Sequence, residues 1–575
     1  MIYNEDVVKS YFSWDPLQDE TFAPLIIGKG SIGGKGRSLL FGIKKLWDSD
    51  PDLKEKVTFP PSIFLSTEIY DNVFKQIKHP ERLPFREPET IEKYFFHTTF
   101  PDYAEEAIRS FLKKIKDPII VRSSSVLEDS VKYSFAGKYR STFLINDQED
   151  LEERVQEVIN EIKRIYARIF FPIAMAYRDK HELGEDAMGI IIMRVSGKWR
   201  GKYYYPTLAG VGFSKYYQRW TTRINPDDGI IRLVFGMGTT STKRGYARSF
   251  SLTMPTLRPE GQNPYKIMRH AQEHFQVVDK EQRDLVTVHI KNIWKEIIPY
   301  HDNFFDYAQL YTSDSEGGYF IRVCKARAIL PKDSKICFTF EEFASKGKPF
   351  FVRMKKILHE LEESMGVPAD IEFAYYPTED IIEIVQARPL WMKENTVSDN
   401  MPDLTSKKVI LQADRMVTDG IKEKIPYLVM VDHKHYAKTR DWYHIARSVG
   451  KVNTLLIKEK FILVAPGRVG SSNPLLGVPV RYDELTNCVC IVELGIPQEG
   501  FMPELSFGTH FFTDLEIDGI LYMPVYKGEK NNIFDEEFFD SSDYTTKTDP
   551  AVRLYRGSFS VYSDGDKNRG VVIAD

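Results

Sequence analysis

Three segments of this 575-residue chain bring together residue types that handle phosphate. The first is Gly28-Lys-Gly-Ser-Ile-Gly-Gly-Lys-Gly, whose glycines let the backbone approach an anion closely while Lys35 adds a positive charge. A helical pattern from Ser38 onward puts a helix N-terminus nearby, which also favours anions. This is not the G-x-x-x-x-G-K-[ST] nucleotide loop, because Lys29 stands where that loop needs glycine and Gly36 where it needs serine or threonine. The competing reading is a plain tight turn. The second segment is an apolar run, Ile119-Ile-Val, ending in Arg122 and three serines. A guanidinium at a strand's mouth holds phosphate through two hydrogen bonds, and serines cap the next turn or bind oxygens. A strand end followed by a capped helix is the alternative.

The third segment, Asp370-Ile-Glu-Phe-Ala-Tyr-Tyr, is followed by a Pro-Thr-Glu-Asp turn and Ile381-Ile-Glu-Ile-Val-Gln-Ala-Arg, and reads as a β-hairpin. Residues two apart share a strand face, so Asp370 stands with Glu372, and Gln386 with Arg388. Carboxylate and amide oxygens suit Mg2+ bound to nucleotide phosphates. An arginine beside them neutralises charge on a phosphoryl group in transfer. A cross-strand salt bridge on a solvated face is the competing reading. Further along, Gly467-Arg-Val-Gly-Ser-Ser offers Arg468 and Ser471 to a substrate anion, and Ser506-Phe-Gly-Thr-His sets His510 after a turn of small residues. Imidazole is a competent phosphoryl acceptor; a structural or substrate-orienting histidine is the alternative. The run Asp432-His-Lys-His pairs two imidazoles as metal sites do, but without further clustered ligands a solvated charged segment is expected.

The elements that must position these residues are legible as periodicities. Strands are expected over Pro118-Ile-Ile-Val-Arg, Gly189-Ile-Ile-Ile-Met-Arg-Val and the hairpin. Val155, Val158, Ile159, Ile162, Ile165, Tyr166 and Ile169 recur at helical steps, with Pro172 kinking or ending that helix. The pattern is α+β or α/β. A polar, proline-containing stretch from about Lys393 to Lys408 marks the main boundary, and enough chain follows it for one domain. That last part is richer in strands, at Phe461-Ile-Leu-Val, Val489 to Val492 and Gly519-Ile-Leu-Tyr-Met-Pro-Val, with a helical stretch near Asp441 to Val449.

Composition narrows the function class. A formal net charge of -4 does not favour a broad phosphate-backbone binder, so no nucleic-acid partner is expected. The cysteines, Cys324, Cys337, Cys488 and Cys490, are too few and scattered for a disulfide framework. Strand alternation puts Cys488 and Cys490 on one face as buried thiols. No apolar run approaches the roughly 18 residues of a membrane span, and the N-terminus lacks the apolar core of a signal peptide. A reducing cytoplasm is the expected location.

Taken in order, the segments resemble the ATP-binding domain of phosphoenolpyruvate synthase and pyruvate phosphate dikinase. Gly33-Gly-Lys-Gly matches that family's G-G-K-x loop, and Phe59-Pro-Pro with Thr67-Glu-Ile-Tyr fits the strand and helix that follow. Val121-Arg-Ser-Ser, Glu128-Asp and Ser134-Phe-Ala-Gly match V-R-S-S…E-D…S-F-A-G. Ile169-Phe to Ala176-Tyr-Arg resembles its L-F…A-x-x-Y-R helix, Gly210-Val-Gly-Phe-Ser its S-G-V-x-F-S/T turn, and Asp370-Ile-Glu with Gln386-Ala-Arg-Pro its D-x-E and Q-x-R-P. The resemblance covers about residues 20 to 392. It implies an ATP-grasp-like, two-lobed region, with a first lobe over 1–215 and a second over 216–395 carrying a metal-binding hairpin. A smaller strand-rich α/β domain then occupies 396–575. It also implies ATP and Mg2+ as cofactors. Lys35 and Arg122 would contact ATP phosphates, and Glu372 and Gln386 would bind the metal with Asp370 in support. Arg388 would stabilise the transferring phosphoryl group. The strand Ile190 to Val195 would line the adenine pocket, with Met193 among its contacts.

The chain departs from that pattern in three places. Gly236-Met-Gly-Thr has Thr239 where the family often has an acidic residue, and the hairpin from Glu372 to Gln386 is slightly longer. Full-length members continue with a swivelling phosphohistidine domain and a (β/α)8 barrel of about 250 residues. The remaining stretch is too short for both and lacks a clear G-G-x-x-S-H-A-A motif. The expectation is an ATP- and Mg2+-dependent phosphotransferase rather than a self-contained phosphoenolpyruvate synthase. Its acceptor, a small molecule or a protein histidine, is not identified by the sequence. The alternatives are an ATP-sensing module without turnover, and the nucleotide-binding subunit of a split synthase whose partner subunit carries the histidine domain.

Overall fold

The computed structural model describes residues 5–129, 139, 141–180, 183–215, 223–237, 247–258, 261–301, 303–314, 317–321, 334–389, 407–456, 459–471, 473–481, 484–496, 519–546, 548–565 and 567–574. The architecture is mixed α+β, with several separate sheets. Two compact units divide the chain: Met1–Phe171 with Glu185–Trp391, and Pro172–Gly184 with Met392–Asp575. Among the described residues no helix is long and apolar enough to cross a membrane.

In the first unit, helix α1 (Gly33–Ser49) and strands β1 (Ile119–Ser125) and β2 (Met188–Arg194) carry the first two phosphate-type segments and their neighbour. A five-stranded sheet runs Ile26–Ile27, Ser62–Leu65, β2, β1, Thr142–Leu144. A six-stranded sheet runs Arg248–Ser251, Ile230–Phe235, β3 (Leu208–Phe213), β4 (Ala369–Tyr376), β5 (Ile381–Pro389) and Val57–Thr58. One core ties these parts together. Leu39, Leu40, Ile43 and Leu46 of α1 share it with Ile191 and Met193 of β2, Ala387 of β5, and Leu358 and Leu361 of the helix Lys348–Met365.

The helix α1 begins at Gly33, earlier than its apolar periodicity from Ser38 shows, so the glycine segment itself forms the first turn. Gly33 has φ +72°, and a Cβ there would lie 1.8 Å from the carbonyl oxygen of Ser124. Only glycine permits that backbone approach. The expected helix is present over Leu151–Ala167 and buries Val155, Val158, Ile159, Ile162, Ile165 and Tyr166, but it stops short of Ile169, which falls in the 3-10 turn that follows. After a 3-10 turn at Arg168–Phe170, Pro172 opens a new helix, Pro172–Lys180. Proline is tolerated there because the first helical position needs no N–H donor.

In the second unit, β6 (Gly420–Val431), β7 (Phe461–Pro466), β8 (Cys488–Leu494) and β9 (Leu521–Val525) pair parallel in that order. The strand Val552–Asp564 adds antiparallel to β6. Phe461, Leu463 and Ala465 enter one core while Ile462 and Val464 enter another. Burial on both faces is why β7 reads as an unbroken apolar run. The helix Trp442–Leu455 covers the stretch read as helical.

Two expectations are corrected here. Cys488 and Cys490 lie in different cores, not on one face. Phe461 pairs with Cys488 and Ile462 with Cys490, so Val489 is an extra residue that shifts the alternation by one. The run Asp432-His-Lys-His is not wholly solvated either. Asp432 caps the helix His433–Lys438, and His433 is buried against Phe534 with Glu536 3.8 Å away. Burial pushes its imidazole pKa down.

Candidate functional site

Strands β4 and β5 form the hairpin read from the sequence, with Asp370 opposite Arg388 and Glu372 opposite Gln386. Pairing resumes at Phe373 opposite Ile384, which leaves Val385 as a bulge beside these four residues. Arg122, at the far end of β1's apolar run, reaches that bulge. Its Nη1 donates to the Val385 carbonyl at 2.9 Å, its Nη2 donates to Gln386 Oε1, and Glu372 Oε2 lies 3.6 Å away. Arg122 is 6% exposed, so its charge is compensated by these oxygens rather than by water.

The next pair along the hairpin is Asp370 with Arg388. Arg388 donates to Asp370 Oδ2 from Nε at 3.0 Å and from Nη2 at 2.7 Å. Asp370 is buried, and its Oδ1 has no hydrogen-bond donor among the described residues. A cross-strand salt bridge is therefore present, but its carboxylate is buried rather than on a solvated face.

Lys35 sits in the first turn of α1, where free backbone N–H groups concentrate. Its Nζ donates to the carbonyl of Ser123 at 3.1 Å and to Ser123 Oγ at 3.3 Å, and lies 3.0 Å from Glu128 Oε1. The Gly36 N–H donates to Ser124 Oγ at 3.0 Å, so the serines after Arg122 anchor the helix start. Glu128 accepts the Ser125 N–H at 3.1 Å. Burial pushes the Glu128 carboxyl up, against the opposing pull of the Lys35 charge. Behind it, Ser125 Oγ donates to Asp186 at 2.7 Å and Tyr139 O–H donates to the same carboxylate at 2.5 Å.

The fold thus gathers Arg122, Glu372 and Gln386 into one contact set. Asp370 and Arg388 lie one step along the same hairpin, and Lys35 attaches through Ser123. Met193 is not part of this cluster. Its side chain is 1% exposed in the shared core, and β2 is paired on both sides, with Met193 opposite Ser62 and Ile120. His510, Thr239, the Ser134-Phe-Ala-Gly segment, Cys324 and the linker stretch 393–406 lie outside the described residues. The sequence reading missed the Val385 carbonyl and Asp186. The bulge leaves no residue-type signal except the slightly long hairpin. Asp186 is remote in sequence from the serine it meets.

The oxygen donors gathered here are of the kind a divalent cation takes. Among the described residues no group of three His, Cys, Asp or Glu side chains clusters as a complete metal cage. Mg2+ does not require one, because it commonly takes one or two carboxylates and completes its shell with phosphate oxygens and water. The undonated Asp370 Oδ1, the partly exposed Glu372 carboxylate and the Gln386 amide are oxygen donors of the right kind.

Residues 29–408 match the family described as pyruvate phosphate dikinase, AMP/ATP-binding domain. A phosphoenolpyruvate synthase of Aeropyrum pernix is 26% identical over 167 residues, which is 25% of this chain and 20% of that protein. The matched portion is thus a fifth of that relative's length. The family match spans about two thirds of the chain and contains every residue of the cluster, so this chain belongs to the pyruvate phosphate dikinase AMP/ATP-binding domain family, with an ATP-grasp-like nucleotide-binding fold.

Proposed function

We propose that the first unit binds ATP with Mg2+ and transfers a phosphoryl group to an acceptor not named by its sequence. The observation that carries this reading is the convergence of Arg122 on Glu372, Gln386 and the Val385 carbonyl at one end of the β4–β5 hairpin. Arg122 stands against a patch of carboxylate and amide oxygens with Arg388 beside it, and Lys35 is held by Ser123, the residue after Arg122 in β1, and by Glu128. That is the charge pattern needed by a polyphosphate and its metal.

In this reading Glu372 and Gln386 hold the metal, with Asp370 Oδ1 as a further oxygen. The bound metal would neutralise charge on the phosphate oxygens. Asp370 Oδ2 holds the Arg388 guanidinium by two donors, which fixes the plane that Arg388 presents to the transferring group. Lys35 exchanges its Glu128 and Ser123 partners for phosphate oxygens, and the first turn of α1 adds backbone N–H groups. Little covalent work is asked of the protein. Positioning and charge stabilisation supply the rate.

The test is incubation of the full chain with Mg2+ and ATP labelled at the β- or γ-phosphate, followed by location of the label. Label on protein or on a small molecule, lost in Arg388→Ala, supports transfer. Nucleotide binding with no label transfer or hydrolysis under any acceptor mixture overturns it and leaves the sensing alternative.

A further inference from the structure

The ion pair between Lys35 and Glu128 carries a proton balance of its own. Glu128 stands in the short turn Leu127–Asp129 that follows β1, and its side chain is 7% exposed. Among the described residues, its carboxyl is faced from α1, from the end of β1 and from the segment ahead of β2. Helix α1 brings the Lys35 ammonium, 3.0 Å from Oε1. The end of β1 brings the Ser125 N–H, which donates to Oε2 at 3.1 Å. The segment ahead of β2 brings Asp186, a buried carboxylate that accepts from Ser125 Oγ at 2.7 Å and from the Leu127 N–H at 3.4 Å. Lys35 is thus the described cation paired with Glu128, and Asp186 opposes a second negative charge there.

Lys35 is also the cation that the nucleotide reading sends to the phosphates. A phosphate that takes it leaves the Glu128 carboxyl buried beside Asp186 with one backbone N–H and without its counter-charge. The polyphosphate brings further negative charge towards the same turn. Removing one partner of a buried ion pair is costly while the other stays charged, and a carboxylate so placed takes a proton instead. Burial already pushes the Glu128 carboxyl up with Lys35 in place. Loss of Lys35 pushes it further in the same direction.

We propose, on the reading that Lys35 moves to the nucleotide, that ATP binding is proton-linked: Glu128 takes one proton from solvent as Lys35 leaves it, and returns it when the nucleotide departs. The sign follows. Between the pKa values of the free and bound states, Glu128 is ionised before binding and neutral after it. ATP affinity is therefore lost as pH rises through that window.

The test is calorimetric titration of the full chain with the non-hydrolysable β,γ-imido analogue of ATP in excess Mg2+. Titrations run from about pH 5 to about pH 9, each in two buffers of very different ionisation enthalpy. The difference in heat between the buffers counts the protons exchanged. Uptake approaching about one proton per nucleotide is expected within the window, with binding weakened by up to about tenfold per pH unit. Glu128→Gln is neutral at every pH and should bind without that uptake; proton exchange by the nucleotide itself is common to both chains and cancels. Asp186→Asn removes the neighbouring negative charge and should move the uptake maximum to lower pH, which keeps the assignment testable if Glu128→Gln does not fold. Saturable binding with equal heats in both buffers, the same uptake in Glu128→Gln as in the parent chain, or an unmoved maximum in Asp186→Asn overturns the proposal and leaves the nucleotide reading standing. Absence of nucleotide binding overturns both.

Discussion

Arg122 and Arg200 are both strand residues of the first unit, and both are almost fully buried, at 6% and 8% exposure. Their surroundings differ in kind. Arg122 faces Glu372 and Gln386, and the neighbouring cations Lys35 and Arg388 have their own carboxylates, Glu128 and Asp370. Arg200 is surrounded by carbonyl, hydroxyl and aromatic groups. The first cluster is electrostatically closed, so a phosphate entering it must compete with internal anions, and a metal entering it shares them. The second cation makes its hydrogen bonds to neutral oxygens, with the Glu379 carboxylate acting on it only through its charge. Burial alone does not tell the type of site; the partners do.

The largest expected effect concerns the closed cluster. Arg388→Ala should lower phosphoryl transfer by about a thousandfold, read by label release at unchanged circular dichroism. Activity at the parent level would remove the hairpin from the chemistry and break the contrast with Arg200.

Backbone approach should separate the two regions next. Gly33→Ala forces a Cβ onto the Ser124 carbonyl at positive φ, and should cost about 3 kcal/mol in urea unfolding. Gly201→Ala also has positive φ, +62°, but its Cβ would meet only the exposed Tyr300 hydroxyl at 3.3 Å. About 1 kcal/mol is expected there. Equal costs would mean that the close packing of α1 on β1 is not what holds the phosphate segment.

Arg122→Lys keeps the charge but gives one point donor for the Val385 carbonyl and the Gln386 amide together. ATP affinity measured by calorimetry should fall about tenfold. No change would show that charge, not the fork, is used at β1.

The smallest effect is a pH dependence. Glu128 is held above its ordinary value of 4.5 in the fold by burial. The folded chain then keeps a proton that the unfolded chain has released. Stability is therefore lost as pH rises from the ordinary glutamate range through the raised value. Glu128→Gln should flatten that part of the stability profile measured by urea unfolding from pH 4.5 upward. An unchanged slope would mean that Lys35 compensates the buried carboxylate fully.

Much of the closed cluster was legible in residue order alone. Period-two alternation on β4 and β5 put Asp370 beside Glu372 and Gln386 beside Arg388, and the turn between them marked a hairpin, whereas the cross-strand pairing and its bulge came from the structure. The apolar run before Arg122 marked a strand but not its end, since β1 continues through the three serines to Ser125 and leaves Arg122 mid-strand. The same alternation failed at Cys488 and Cys490, because one extra residue in a ladder moves every following side chain to the other face. Met193 lies apart from the phosphate-type residues, on a strand paired along both edges, as a strand read in isolation does not reveal.

By itself, then, the sequence determined the local elements, the family, and, on the β4–β5 hairpin, which side chains share a strand face. These depend on spacing between residues close in the chain. Only the tertiary structure decided that Arg122 meets the Val385 bulge from another sheet, that Lys35 is held by Glu128, and that Arg200 is buried against neutral oxygens. The first two contacts join residues far apart in sequence. They depend on how helices and sheets pack around one core, which no local periodicity encodes.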